Sequence, residues 1–252
     1  MSEARCAGSA GVSPAPDAGE TPAHPAKAVV IDTGVGNLGN LLRALAHVGA
    51  EAKLSADPAE VAAARCLVLP GVGAFRPPRE RLRGPLEAGL RAALDNGAFL
   101  LGICVGYQLL FGSSNEFGDT DGLGLLGGRV ETVPAGVALP HIGWNRLVER
   151  RGHPLLDGLP AEAYVYFVHS YAPFEVPEEQ VLARAVHGVP FVAVAGTGRI
   201  FGCQFHPEKS GETGLRLLAN FLSMAVAATA LDSHPGEGRG PVPSPNPVQE
   251  GV

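Results

Sequence analysis

A chain of 252 residues that is 46% hydrophobic and 17% charged can bury a full core and suits one domain with tails. Its net charge of −6 gives no electrostatic footprint for nucleic acid, and no apolar run approaches the ~18 residues of a membrane span. Cys6, Cys66, Cys104 and Cys203 show neither CxxC nor metal-ligand spacing, and the first residues lack a signal-peptide apolar region. These features point to a reducing, cytoplasmic compartment with no metal.

Residues 1–26 are rich in Ala, Gly, Pro and Ser and nearly devoid of large apolar side chains, so they read as a disordered tail. Residues 229–252, with Pro235, Pro241, Pro243, Pro245 and Pro247, read the same way, which leaves 27–228 as the folded unit. Within it, a strand over 27–31 leads through Gly34-Val-Gly36 into a helix over 37–48, ended by Gly49. That Gly-x-Gly lacks the third glycine of a dinucleotide fingerprint, so close packing of chain on helix is the better reading. A short strand over 51–54, a turn at Asp57-Pro58 and a buried strand over 66–69 follow, then a flexible loop over 70–75 and a helix over 85–96 closed by Gly97. Strands alternating with helices imply a parallel sheet covered on both faces, with ligands bound at the strands' carboxyl ends.

The next stretch concentrates the chemistry. An apolar strand over 98–101 and helical spacing over 105–111 leave Gly102-Ile-Cys-Val-Gly106 as the turn, with Cys104 at its apex. Flanking glycines allow the sharp packing of a nucleophile elbow, here with a thiol, and the adjoining helix start supplies free N–H groups for an oxyanion. Beyond Gly118 the pattern turns β-rich, with strands over 129–133, 145–149, 163–168, 181–186, 191–196 and 199–205. They predict a mixed sheet extended at one side, and a last helix over 212–228 closes the fold.

A thiol nucleophile needs a base. His24 and His234 lie in the tails, and His47, His153 and His187 sit in helix or turn contexts without a nearby carboxylate in a rigid frame. His206 differs, because Pro207 holds it out of the helical region and an extended backbone puts Glu208 on the same side. Cys104, His206 and Glu208 then supply the nucleophile, base and orienting acid of acyl transfer.

Gly102-Ile-Cys-Val-Gly-Tyr-Gln108, together with Gly202-Cys-Gln-Phe-His-Pro-Glu-Lys-Ser210, resembles the class I, triad-type glutamine amidotransferase domain. Within that class, the segments 31–38, 69–75, Pro140-His-Ile-Gly-Trp-Asn145 and Tyr166-Phe-Val-His-Ser-Tyr171 are similar to the glutaminase subunits of imidazole glycerol phosphate synthases. The resemblance spans nearly all of 27–228 and implies an α/β, flavodoxin-like fold with a mixed, mostly parallel sheet flanked by helices. Thr33, Val105, Tyr107 and Cys203 depart from the common pattern without removing a reacting group.

By that resemblance, Cys104 attacks the glutamine carboxamide, His206 transfers the protons and Glu208 holds His206. The backbone N–H of Val105 and one from Gly71, Val72 or Gly73 form the oxyanion hole. Gln108, Glu116, His169, Ser170 and Tyr171 line the glutamine pocket. The implied partner is a (β/α)8 cyclase subunit, forming a heterodimer, and no cofactor is implied. Trp144, the only tryptophan, and its neighbour Asn145 are expected at the interface, where aromatic anchors are favoured. Glycines on either side of Val72 would let a peptide there reorient, offering a carbonyl to the oxyanion position when idle and an N–H when activated. Glutaminases of other synthases, for anthranilate or GMP, share the triad but are not expected to carry both the Pro140–Asn145 and Val168–Tyr171 patterns.

Overall fold

Apolar runs without polar alternation need both faces of the strand covered, and the centre of this fold is built that way. The computed structural model describes residues 26–134 and 136–232, so most of both expected tails lies outside the described residues. In chain order the first half comprises β1 (Ala26–Ile31), α1 (Leu38–His47), β2 (Ala50–Ser55), α2 (Pro58–Ala63), β3 (Cys66–Gly71), α3 (Arg76–Leu82), α4 (Pro85–Asp95), β4 (Phe99–Cys104) and the single turn α5 (Val105–Gln108). The second half adds β5 (Ser113–Ser114), β6 (Thr120–Asp121), β7 (Arg129–Thr132), β8 (His141–Arg146), β9 (Tyr164–His169), β10 (Tyr171–Phe174), β11 (Val181–His187), β12 (Val189–Thr197), β13 (Ile200–Cys203) and α6 (Gly211–Asp232). Ala26 belongs to β1 and α6 continues past residue 228, so the folded unit is slightly longer at each end than expected.

The main sheet has the order β11-β12-β13-β4-β3-β1-β2. The five strands from β13 to β2 are parallel, and β12 and β11 add antiparallel at one edge. This is the expected mixed sheet extended at one side. Four of the later strands stay out of it: β7 and β10 join β5 and β6 in a small sheet, while β8 and β9 pair as a separate ribbon. Burial alternates along β8 and β9. A strand with one apolar face suits a layer at the end of the main sheet better than its two-sided centre.

Several local expectations shift. The strand expected over 145–149 lies earlier, as β8, and β10 was not foreseen. Asp57 caps a helix rather than marking a turn, its carboxylate accepting Ala59 N–H at 2.8 Å ahead of Pro58. Pro77 and Pro78 disguised α3, although prolines in a first turn sacrifice no helical hydrogen bond. Pro70 and Gly71 are strand residues, paired with Ile103 and Cys104, so the loop is confined to 72–75. The expected turn at 102–106 is tighter still, because β4 runs to Cys104 and α5 starts at the next residue.

That abrupt junction depends on missing side chains. A Cβ on Gly106 would lie 1.8 Å from the carbonyl oxygen of Leu69, so α5 rests directly on the backbone of β3. Gly106→Ala is therefore expected to cost more than about 3 kcal/mol in denaturant unfolding, as severe overpacking against backbone does. Gly49→Ala, at φ +86 with nothing within 4 Å of the new carbon, should lose only the ~1–2 kcal/mol of left-handed strain. Equal losses would mean crowding is not what Gly106 avoids.

Candidate active site

β4 delivers Cys104 to the carboxyl edge of the sheet with φ +54 and ψ −111, an unusual backbone state for a residue bearing a side chain. Strain of this kind persists only where the surroundings over-determine it, and the packing around Gly106 does so here. The neighbouring strand brings the histidine. β13 runs parallel to β4 with Cys203 opposite Ile103, so the residues that leave β13 emerge beside those that leave β4. The Sγ of Cys104 lies 3.9 Å from Gln204 Nε2 and 4.0 Å from the carbonyl oxygen of Val168.

His206 is extended (φ −97, ψ 98), as the proline after it requires. Its N–H donates to Tyr166 O at 3.0 Å, and its carbonyl accepts from Ser210 Oγ at 2.6 Å. Ser210 Oγ in turn accepts the Tyr166 N–H at 3.0 Å, which clips this segment to β9. The ring Nδ1 sits 2.9 Å from Glu208 Oε1, and both side chains are nearly inaccessible. Nε2 is left without a hydrogen bond. Burial disfavours charge on this ring, but the Cys104 sulfur and the Glu208 carboxylate together outweigh it and push the pKa up to about 10.

A cavity of about 360 Å³ opens over Cys104 and His206. Val72, Gly73 and Val105 line it, while Gly71 lies behind them in β3. A Cβ on Gly71 would come 2.7 Å from Gly106 N, so that residue is clamped; Gly73, at φ +80 with open space around it, is not. Any reorientation of this segment therefore belongs to residues 72–74. Gln108, Glu116, His169, Ser170 and Tyr171 also border the cavity, as do Pro140, Val168 and Lys209, which sequence reasoning left without a role. The Gln108 amide nitrogen is engaged by Tyr171 O at 2.8 Å and Gln204 Oε1 at 3.1 Å. Gln204 thus links Gln108 to Cys104. Its signal was available, since extended backbone puts it on the same side as His206.

Across residues 29–225 the sequence matches the family model for glutamine amidotransferase class-I. The chain belongs to that family. Among its relatives, the imidazole glycerol phosphate synthase subunit HisH of Symbiobacterium thermophilum is 48% identical over 78% of this chain and 93% of its own length. The subunit of the same name from Geobacillus kaustophilus is also 48% identical, over 78% of this chain and 96% of its own. The structure of PurLQS from Thermotoga maritima superposes with a TM-score of 0.63 at 20% identity, covering 80% of this chain and 99% of that one.

In this amidotransferase, two further histidines lock the cavity wall from behind. His169 Nδ1 donates to Tyr171 O at 3.0 Å, so its Nε2 is the acceptor for His141 Nδ1 at 3.0 Å. His141 Nε2 then accepts from Asn145 Nδ2 at 3.2 Å, and the same amide donates to Val186 O at 2.8 Å. Burial, reinforced by the neighbouring imidazoles, pushes His169 down to about 3 and His141 to about 4. Both rings are neutral and have their nitrogens engaged, so His169 serves the wall rather than proton transfer. Asn145 is turned inward by these bonds. Trp144, on the opposite face of β8, is 57% exposed beside Ile142 at 59%. Among the described residues no helix is long and apolar enough to cross a membrane, and no cluster could hold a metal ion.

The amidotransferase should lose stability at both ends of the pH scale for opposite reasons. A raised pKa at His206 stabilises the fold fully below the unfolded value of 6.5, and that contribution fades as pH climbs through about 10. Depressed values at His169 and His141 contribute above 6.5 and fade as pH falls towards about 3. Urea midpoints from pH 3 to 10 test both limbs. Glu208→Gln should flatten the alkaline limb and move the His206 NMR titration downward; an unchanged alkaline limb would contradict the ion pair.

Proposed function

We propose that this chain is the glutaminase subunit of an imidazole glycerol phosphate synthase, acting in the cytoplasm as a heterodimer with a (β/α)8 cyclase subunit. The observation that carries the reading is that Cys104 and His206 border one cavity, with Glu208 behind them on His206 Nδ1 at 2.9 Å, in a chain 48% identical to subunits of that name. Chemically, the Cys104 sulfur attacks the side-chain carboxamide carbon of glutamine, forming a C–S bond and a tetrahedral oxyanion. Backbone N–H groups of Val105 and of the segment around Val72 and Gly73 stabilise that charge. His206 gives its proton to the departing nitrogen, the C–N bond breaks, and ammonia leaves a thioester behind. The same ring then takes a proton from water, whose oxygen attacks the thioester, and C–S cleavage releases glutamate.

Glu116, Ser170 and Tyr171 hold the amino-acid end of the substrate, with Glu116 facing the α-ammonium. Ammonia passes to the cyclase, which joins it to a phosphoribulosyl intermediate, yielding imidazole glycerol phosphate and aminoimidazole carboxamide ribotide. The decisive assay mixes the chain with a candidate cyclase subunit and follows glutamate release with and without the cyclase's substrate.

Cys104→Ser should lower glutamine hydrolysis by roughly 10⁴-fold or more, because it removes the nucleophile of a unit that works jointly. The complex should still form and still use added ammonia. Cys66→Ser and Cys203→Ser should remain active if folded; equal loss from all three would trace the effect to cysteine burial rather than chemistry.

The partner is assigned to the outer face of β8. Trp144→Ala should weaken subunit association by about 2 kcal/mol, as loss of an interfacial aromatic anchor does, while leaving the unfolding midpoint of the free subunit nearly unchanged. Titration calorimetry of the two subunits measures this. Loss of stability without loss of affinity would place the indole's role within the subunit.

A further inference from the structure

The Glu116 carboxylate is bonded to the backbone that the oxyanion segment hangs from. Its Oε2 accepts the N–H of Phe75 at 2.7 Å, and Phe75 opens α3 without a side-chain cap of its own. Phe75 stands two residues beyond Gly73, so the carboxylate holds the downstream end of the stretch that faces Cys104. Pairing with Cys104 fixes the upstream end at Gly71. Only residues 72–74 are free to turn between these points, and Gly73 has open space around it.

The loop that bears Glu116 is anchored as well. Arg76 Nε donates to Thr120 Oγ1 at 3.3 Å, and Arg79 Nε donates to Asp121 O at 2.9 Å. Arg79 is buried and paired with Glu87 at 2.7 Å, so this junction is rigid. Partial burial pushes the Glu116 carboxyl up, with the Phe75 amide opposing that shift. Among the described residues no lysine or arginine pairs with Glu116. A carboxylate with one oxygen on an amide retains a second for a cation.

We propose that Glu116 is a positioning residue that couples occupancy of the cavity to the oxyanion segment. One oxygen receives the substrate's ammonium while the other holds the Phe75 amide, and so sets where the backbone at Val72 and Gly73 presents its donor. An ammonium on the carboxylate fixes its rotamer, and the fixed rotamer fixes the segment. The inference rests on glutamine being the substrate, as proposed above.

The test compares Glu116→Gln, which keeps an acceptor for Phe75 but loses the charge, with Glu116→Ala, which loses both. Each is assayed in complex with the candidate cyclase on glutamine and on glutaramate, which has the same carboxamide and carboxylate but no ammonium. Glu116→Gln should raise KM for glutamine about tenfold or more while kcat falls less than about threefold. Glu116→Ala should also lower kcat by roughly 30-fold or more, on both substrates, as a misplaced oxyanion donor would. Amide exchange over residues 72–76 of the full chain should quicken in Glu116→Ala and not in Glu116→Gln. Unchanged exchange in Glu116→Ala, or identical kinetics in the two variants, would overturn the coupling. If the unaltered complex hydrolyses no glutamine, the functional reading fails instead, and the exchange result still decides the link to Phe75.

Discussion

The contact between Gly106 and the Leu69 carbonyl is the constraint from which the site follows. With no side chain between them, α5 can start one residue after β4 ends, and Cys104 is forced into the left-handed region at the junction. Because β3 and β4 are paired up to Gly71 and Cys104, the segment leaving β3 emerges beside the sulfur. Because β13 flanks β4 on its other side, the segment leaving β13 emerges there too. Three chain segments distant in sequence therefore converge at one edge without any long loop. Parallel strands end at the same level, and ligands gather where they end.

Electrostatics then separates histidines that are all removed from solvent. His206 has a carboxylate on one nitrogen and a sulfur near the other, so its charged form is favoured despite burial. His169 and His141 meet each other, His187, a carbonyl and an amide, and with only the Tyr171 carbonyl to favour charge on His169, desolvation prevails in both. Burial alone would have driven all three the same way; the chemistry of the partner decides the sign. The same logic separates Glu208, committed to an imidazole, from Glu116, committed to a backbone amide with capacity for a cation.

What the sequence made legible was the part encoded in contiguous residues. The Cys104 turn, the His206–Glu208 spacing and the two-sided strands are short-range patterns, and each lies where it was expected within a few residues. The elements that escaped were those whose sequence supports two readings. Asp57-Pro58 begins a turn or a helix, and Pro77-Pro78 forbids a helix interior but not its first turn. Distant pairings were illegible for another reason: nothing in Pro140–Asn145 announces that His141 will meet His169, because that contact is made by the β8–β9 register. Glu116 was reached only through family resemblance. A lone loop acid reads as solvated until the Phe75 amide and the cavity are in place.

The β8–β9 ribbon also shows why surface and site need not be separate provinces of this fold. Strand side chains alternate, so β8 sends Ile142 and Trp144 outward while His141 and Asn145 turn into the protein. Across the ribbon, Trp144 is paired with Tyr166, whose backbone clamps His206, and His141 with His169, at the cavity wall. Val168, between them on β9, places its carbonyl 4.0 Å from Cys104 Sγ. The outer face is thus one peptide away from the residues that hold His206 and the cavity wall. This two-faced ribbon joins an exposed apolar surface to the wall of the cavity over Cys104.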